Sequence, residues 1–123
     1  MKLVPVIKCS DLVQSIRFYT EVLDFKRKYP EWPLDCGVCD LVHEAGEVQL
    51  SIHAGDGHYG SSTIVWVPDV DAMFAHYVAR GLDITSRPES PIHCGPTNQT
   101  WGVRTFAATD PDGNSMHFGS PIA

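Results

Sequence analysis

Between Lys28 and Arg80 the chain has no lysine or arginine, whereas Glu31, Asp35, Asp40, Glu44, Glu47, Asp56, Asp69 and Asp71 all fall inside that window. With a formal net charge of −6, the sequence lacks the clustered cations that a phosphate backbone demands, which argues against nucleic acid as a partner. No run approaches the ~18 apolar residues that crossing a bilayer takes. Met1-Lys2 leads straight into Val4-Pro5-Val6-Ile7 without a charged, then apolar, then small-residue leader, so no membrane association is expected and the localisation reads as cytoplasmic. The sequence also lacks a G-x-S-x-G elbow, a phosphate-cradling glycine loop and a carboxylate pair spaced for acid–base work. Cysteine chemistry is thin. Of Cys9, Cys36, Cys39 and Cys94 only Cys36 and Cys39 are closely spaced, and there is no second close pair to complete a zinc site. Asp40-Leu41-Val42-His43, which follows them, reads as a strand and not as the helix start that activates a redox thiol. Free thiols are expected. The acidic window either favours a cationic ligand or solvates loops and helix starts, and composition leaves both open.

What is present is a repeat. At 123 residues and 43% hydrophobic, the chain suffices for one domain with a core. Sliding it by 58 positions lays Val6-Ile7-Lys8-Cys9-Ser10-Asp11-Leu12 over Ile64-Val65-Trp66-Val67-Pro68-Asp69-Val70, and Tyr19 over Tyr77. Each copy reads as an apolar strand, an acidic helix start and a helix of about three turns. Asp11 and Gln14 have capping-box spacing, and Leu12, Ile16, Tyr19 and Leu23 form one apolar face. Val70, Phe74 and Tyr77 repeat that face, and Gly81 suits a left-handed stop. Strands are then expected near Phe25 to Tyr29, Val38 to His43 and Glu47 to His53, and again at Asp83 to Arg87, Arg104 to Thr109 and Asn114 to Gly119, with a turn at Asp110-Pro111-Asp112-Gly113. Ala54 to Gly60 and Pro88 to Pro96 read as loops. The fold class is therefore α+β, two βαβββ modules of about residues 1–55 and 61–120 within a single domain. Each module lays a helix on one face of an open, curled mixed sheet, and the other face needs cover.

The repeated strand and helix start, Val65-Trp66-Val67-Pro68-Asp69-Val70-Asp71-Ala72, Trp101-Gly102-Val103-Arg104-Thr105-Phe106-Ala107, and Asp110-Pro111-Asp112-Gly113-Asn114 with His117-Phe118 together carry a resemblance. From about Leu3 to Phe118 the chain resembles the bleomycin-resistance proteins of the vicinal oxygen chelate superfamily, which also holds glyoxalase I, extradiol dioxygenases and fosfomycin-resistance enzymes. The resemblance implies a homodimer, often with an exchanged N-terminal strand, here Val4 to Cys9, and a cleft between a unit of one chain and a unit of the other. It implies stoichiometric sequestration of a cationic, aromatic, bleomycin-type ligand without turnover.

Enzymes of that superfamily hold a divalent metal with His, Glu or Gln at four strand positions, which align here with Val4, Ser51, Thr63 (or Ser62) and His117. Valine offers no donor and a hydroxyl is a poor anchor, so neither a metal nor another cofactor is expected. Gln49, Ser51 and His53 alternate along one strand, so His53 with His117 and a Glu forms the alternative, displaced metal site of a lyase, dioxygenase or thiol transferase. His43, His58, His76 and His93 read as surface or loop residues. A third reading is a protein-interaction module whose cleft is filled by its own side chains. For the binding reading, Trp101 matches the family's cleft tryptophan beside Gly102, Trp66 points to core or cleft, and Trp32 sits in a loop that the family uses to flank the drug. Leu34-Asp35 stands where bleomycin-gripping members often carry an aromatic. Asp35 supplies a carboxylate there, and Ser51, His53 and His117 complete the expected lining.

Overall fold

The computed structural model describes residues 1–122. They form two compact units, Met1–Ser61 with Asp110–Asn114, and Ser62–Thr109 with the strand from Ser115 onward. The first unit runs β1 (Val6–Lys8), α1 (Leu12–Arg17), a π-helical turn (Phe18–Val22), β2 (Lys26–Arg27), β3 (Val38–His43) and β4 (Gly46–Ser51). Its strands lie in the order β1-β4-β3-β2, with β1 parallel to β4 and the remaining pairs antiparallel. The second runs β5 (Ser62–Trp66), α2 (Val70–Ala79), α3 (Pro91–Cys94), β6 (Thr97–Asn98), β7 (Val103–Thr109) and β8 (Ser115–Pro121). Its order is β5-β8-β7-β6, again with the outer pair parallel and the others antiparallel. The repeat read from the sequence is thus a repeat of topology, and the α+β architecture is as expected.

Helices α1 and α2 start where the sequence places an acidic cap. The Asp11 carboxylate accepts from the Gln14 amide at 3.1 Å, and that of Asp69 from Ala72 at 3.1 Å. Leu12, Tyr19 and Leu23 bury their side chains against the first sheet, as do Val70 and Tyr77 against the second. The first helix loosens in its last turns: the Leu23 amide donates to the Phe18 carbonyl five residues back, at 3.3 Å, and Thr20 Oγ1 donates to the Ile16 carbonyl at 2.7 Å. It stops at Asp24, whose φ of 60° is the left-handed turn that Gly81, at 103°, makes after α2. On the second sheet the core is aromatic, with Phe106 and Phe118 stacked at 4.9 Å and Tyr77 edge-on to Phe118 at 5.2 Å.

Two expected elements fail. Asp83 to Arg87 forms no strand, because the Asp83 carboxylate takes both the amide and the hydroxyl of Thr85, at 2.8 and 2.9 Å, and curls the segment away from an extended path. Its place against β7 is taken by Thr97–Asn98. The expected loop of 88–96 contains α3, which starts with Pro91, where proline's fixed φ and missing N–H suit a first helical residue. The expected strand from Phe25 to Tyr29 shrinks to two residues, and β4 ends at Ser51, two residues before His53.

Val6–Lys8 pairs in register with Gln49–Ser51 of the same chain. An exchanged strand would make this same ladder with a second copy. All four cysteines are free thiols, and burial raises the pKa of Cys9 and Cys39. The turn Asp110–Asn114 lies in the first unit, where the Asn114 side chain donates to the Lys8 carbonyl at 2.8 Å and to Asp110 at 3.1 Å while accepting from the Ser61 amide at 3.0 Å. Asp110 also accepts from Tyr19 Oη at 2.8 Å, and burial, reinforced by that carboxylate, keeps the phenol protonated.

Candidate functional site

The two sheets differ in what they present on the face that no helix covers. On the first, register groups Lys8, Glu47, Gln49, Ser51, Val38, Asp40 and Val42. The polar members of this row are mutually engaged. Glu47 accepts from Lys2 at 2.8 Å and Lys28 at 2.9 Å, and these bonds hold its carboxyl below the usual range. Gln49 donates to Asp40 at 3.0 Å and Ser51 to Asp56 at 2.8 Å. Five of the eight acids of the window are thus engaged locally, since Asp69 caps α2 and Asp71 binds Arg104 at 3.0 Å as well.

On the second sheet, register places Ser62, Ile64 and Trp66 of β5 beside Ser115, His117 and Gly119 of β8, and these beside Thr109, Ala107 and Thr105 of β7. This face is open and partly apolar: Ile64 is 69% and Trp66 64% exposed. The Trp66 indole lies across Gly119, where an added methyl group would stand 3.5 Å from its Cζ3 and 3.0 Å from Val103 Cγ1. Trp66 therefore belongs to the open face and not to the core. Trp101, 71% exposed, is carried at the tip of the β6–β7 hairpin. Gly102 closes that tip with φ +86°, its amide donating to the Gln99 carbonyl at 3.3 Å.

At the other end of the same face is a hydrogen-bonded chain that the sequence did not reveal. Ser90 Oγ meets His93 Nδ1 at 2.8 Å, His93 Nε2 meets Thr109 Oγ1 at 2.8 Å, and Thr109 Oγ1 meets Ser115 Oγ at 2.6 Å. The expectation that His93 is an ordinary loop histidine is corrected. It is half-buried on α3 with both ring nitrogens engaged. Burial lowers its pKa, with Arg87 and His117 adding to the effect and Glu89 opposing it. Because the folded value is depressed, acid favours the unfolded chain. Stability is retained above about pH 6.5 and falls as pH drops through the folded value. His93→Gln is expected to flatten this part of a pH series of thermal melts between pH 7 and 5, and a slope unchanged from the parent protein would refute the assignment.

Of the four sites expected in the first unit, Ser51 is fully buried with its hydroxyl bound to Asp56. Trp32 is 56% exposed and stacks on Tyr29 at 3.9 Å between centroids, so only one face of its indole is open. Asp35 is exposed in the following turn. His53 turns its Nε2 to the Cys36 carbonyl at 2.8 Å, and its amide donates to Ser51 Oγ at 3.1 Å. Gln49, Ser51 and His53 therefore do not continue a single strand face as expected, since the strand stops at Ser51 and the His53 ring closes on the start of β3.

The residues at the four aligned positions do not fit a divalent ion. Val4 has no donor, Ser51 Oγ is committed to Asp56, Thr63, paired with Met116, lies on the helix-covered face opposite His117, and Ser62, which shares the face of His117, offers only a neutral hydroxyl. Among the described residues no group of three His, Cys, Asp or Glu side chains is placed to hold a metal. A concavity of about 490 Å³ at the start of α2 is lined by Asp69, Asp71, Asn98 and Arg104 among others, none of them an expected site residue. Arg104 is engaged there, with bonds to Asp71 at 3.0 and 3.1 Å and to Asn98 at 3.1 Å. Among the described residues no helix is long and apolar enough to cross a membrane.

Solved structures share this fold. A bleomycin-binding protein complexed with bleomycin is 22% identical, with a TM-score of 0.74 over 98% of both chains. A bleomycin resistance determinant encoded on transposon Tn5 is 20% identical, with a TM-score of 0.77 over 100% of this chain and 99% of that one. TnmS3, an antibiotic binding protein from Streptomyces sp. CB03234, is 23% identical, with a TM-score of 0.69 over 98% and 97%. No curated protein sequence matches the chain. From residue 4 to residue 118 the sequence matches the model of the Glyoxalase/Bleomycin resistance protein/Dioxygenase superfamily, and the chain belongs to that superfamily.

Proposed function

We propose that the protein binds a flat, cationic aromatic small molecule of the bleomycin type, as a metal-free homodimer and without chemical turnover. One observation carries the reading: the open face of the second sheet displays Trp66 beside Ile64, with one side of the indole seated on a glycine and the other available for stacking. Large aromatic surface left exposed beside polar groups marks a binding site, and a stacked or cation–π contact contributes about 0.5–2 kcal/mol. A second copy of the chain would cover this face and close the cleft, with Trp101, Gly102 and His117 of this unit and Trp32, Asp35 and His53 from the second copy as its lining. Two of the similar structures bear names that tie them to bleomycin, which supports the choice of first ligand. The donor set at the aligned positions supports the absence of a catalytic metal. Titration with bleomycin or phleomycin is expected to quench tryptophan emission and saturate at a fixed ratio of ligand to dimer. Absence of quenching, or one equivalent of tightly held divalent metal per chain in carefully prepared protein, would overturn it.

A further inference from the structure

We infer that the chain Ser90–His93–Thr109–Ser115 is a hydrogen-bonding subsite that reads an amide or hydroxyl group on a ligand whose flat ring stacks on Trp66, an inference that rests on the binding reading above. Along β8 the open face passes from Gly119 under Trp66, through His117 beside Ile64, to Ser115 beside Ser62. Four residues separate Gly119 from Ser115, a span of roughly 13 Å at the rise of a strand. The two ends differ in chemistry: one is an aromatic plate, the other a row of hydroxyl groups.

The row is built as a relay. If Ser90 donates to His93 Nδ1, then Nε2–H donates to Thr109 and Thr109 donates to Ser115, whose own proton is left to point outward. With every bond reversed, Ser115 donates to Thr109, its lone pairs face outward, and the spare proton sits on Ser90. Ser115 is half-buried on the open face of the sheet, and its hydroxyl has Thr109 as its one hydrogen-bond partner among the described residues, which leaves it further capacity to donate or accept. Hydrogen bonds in such a chain polarise one another, so the terminal hydroxyl is a stronger donor or acceptor than an isolated serine. A neutral imidazole is needed for both arrangements, and the burial that depresses the His93 pKa supplies it. The ligand class that matches the face is an aromatic ring system joined, roughly 13 Å away, to an uncharged polar group able to donate or accept.

The test titrates bleomycin, and separately its isolated bithiazole tail, into the dimeric protein and into Ser115→Ala and Thr109→Val, following tryptophan emission. Ser115→Ala removes the terminal hydroxyl, and Thr109→Val cuts the relay at nearly constant volume. Each is expected to weaken bleomycin about fivefold to tenfold, the weight of one buried hydrogen bond, and to leave the tail within about twofold. Unchanged bleomycin affinity in both variants overturns the subsite and leaves the binding reading standing. So does an equal loss for bleomycin and tail, which would report a general distortion of the face. Failure of bleomycin to quench the parent protein overturns the binding reading, and the subsite with it.

Discussion

Asn114→Ala should be among the most damaging single substitutions in the first unit, lowering its stability by about 3 kcal/mol. The side chain is buried and makes four contacts, donating to the Lys8 carbonyl and Asp110 and accepting from the amide and hydroxyl of Ser61. Alanine leaves the Lys8 carbonyl and the Ser61 amide without these partners, and a buried polar group left unpaired costs about 1–3 kcal/mol. Asp110 loses the Nδ2 donor but keeps the Tyr19 hydroxyl and the amides of Asp112 and residue 114. Urea unfolding followed by circular dichroism is expected to show a midpoint about 1–3 M lower, given slopes of about 1–3 kcal/mol per molar for domains of this size. Tyr19→Phe removes one bond of the same network and should cost about half as much. The double substitution should cost less than the sum, because both members act through Asp110. Strict additivity would mean that the network is not cooperative.

This prediction bears on how the Asp-Pro-Asp-Gly-Asn motif is understood. In the sequence it reads as a turn, and Gly113 with φ +83° and an amide bonded to the Asp110 carbonyl at 3.1 Å makes that turn. Its carboxylates and amide do more, binding Tyr19, Ser10, Lys8 and Ser61, all distant in sequence. Turn chemistry is local and therefore legible, whereas the partners of a buried polar group depend on how the chain returns.

The same division runs through the rest of the fold. The offset of 58 residues was visible because a strand, a capped helix and a buried tyrosine recur with their hydrophobic periods intact, and Tyr19 and Tyr77 occupy equivalent buried positions. Strand β6 was not visible, because two residues carry no period and pair only with what β7 offers. The face of Trp66 could not be chosen either. In Ile64-Val65-Trp66 both parities are apolar, so alternation gives two candidate faces, and only α2 packing on one of them decides which is open. His93 escaped for a similar reason, since its partners Thr109 and Ser115 lie on strands that the sequence cannot register against α3. Trp101 and Trp32, the exposed tryptophans of the expected site, sit in turns whose residues declare themselves.

If the proposed binding holds, Trp66→Ala should weaken bleomycin by about tenfold to a hundredfold while leaving the melting temperature nearly unchanged. The side chain is 64% exposed, so its removal opens little cavity, and substitutions at such positions stay within about 0.5 kcal/mol. Its loss from a stacked complex forfeits the aromatic plate at one end of the open face, where single anchor residues carry about 1–3 kcal/mol of binding. Trp101→Ala, at a hairpin tip, should lose less. Gly119→Ala refines the point without touching an aromatic residue. The new methyl would stand 3.0 Å from Val103 Cγ1 and 3.5 Å from Trp66 Cζ3, so the valine must give way and the indole must lift from its seat. Affinity should fall several-fold although every aromatic ring is still present. Fluorescence titration of these three variants and of Trp32→Ala, beside thermal melts of each, separates the outcomes. If Trp66→Ala bound as the parent does while Trp32→Ala did not, the stacking plate would have to be moved to the Tyr29–Trp32 pair of the first unit, which has one open indole face.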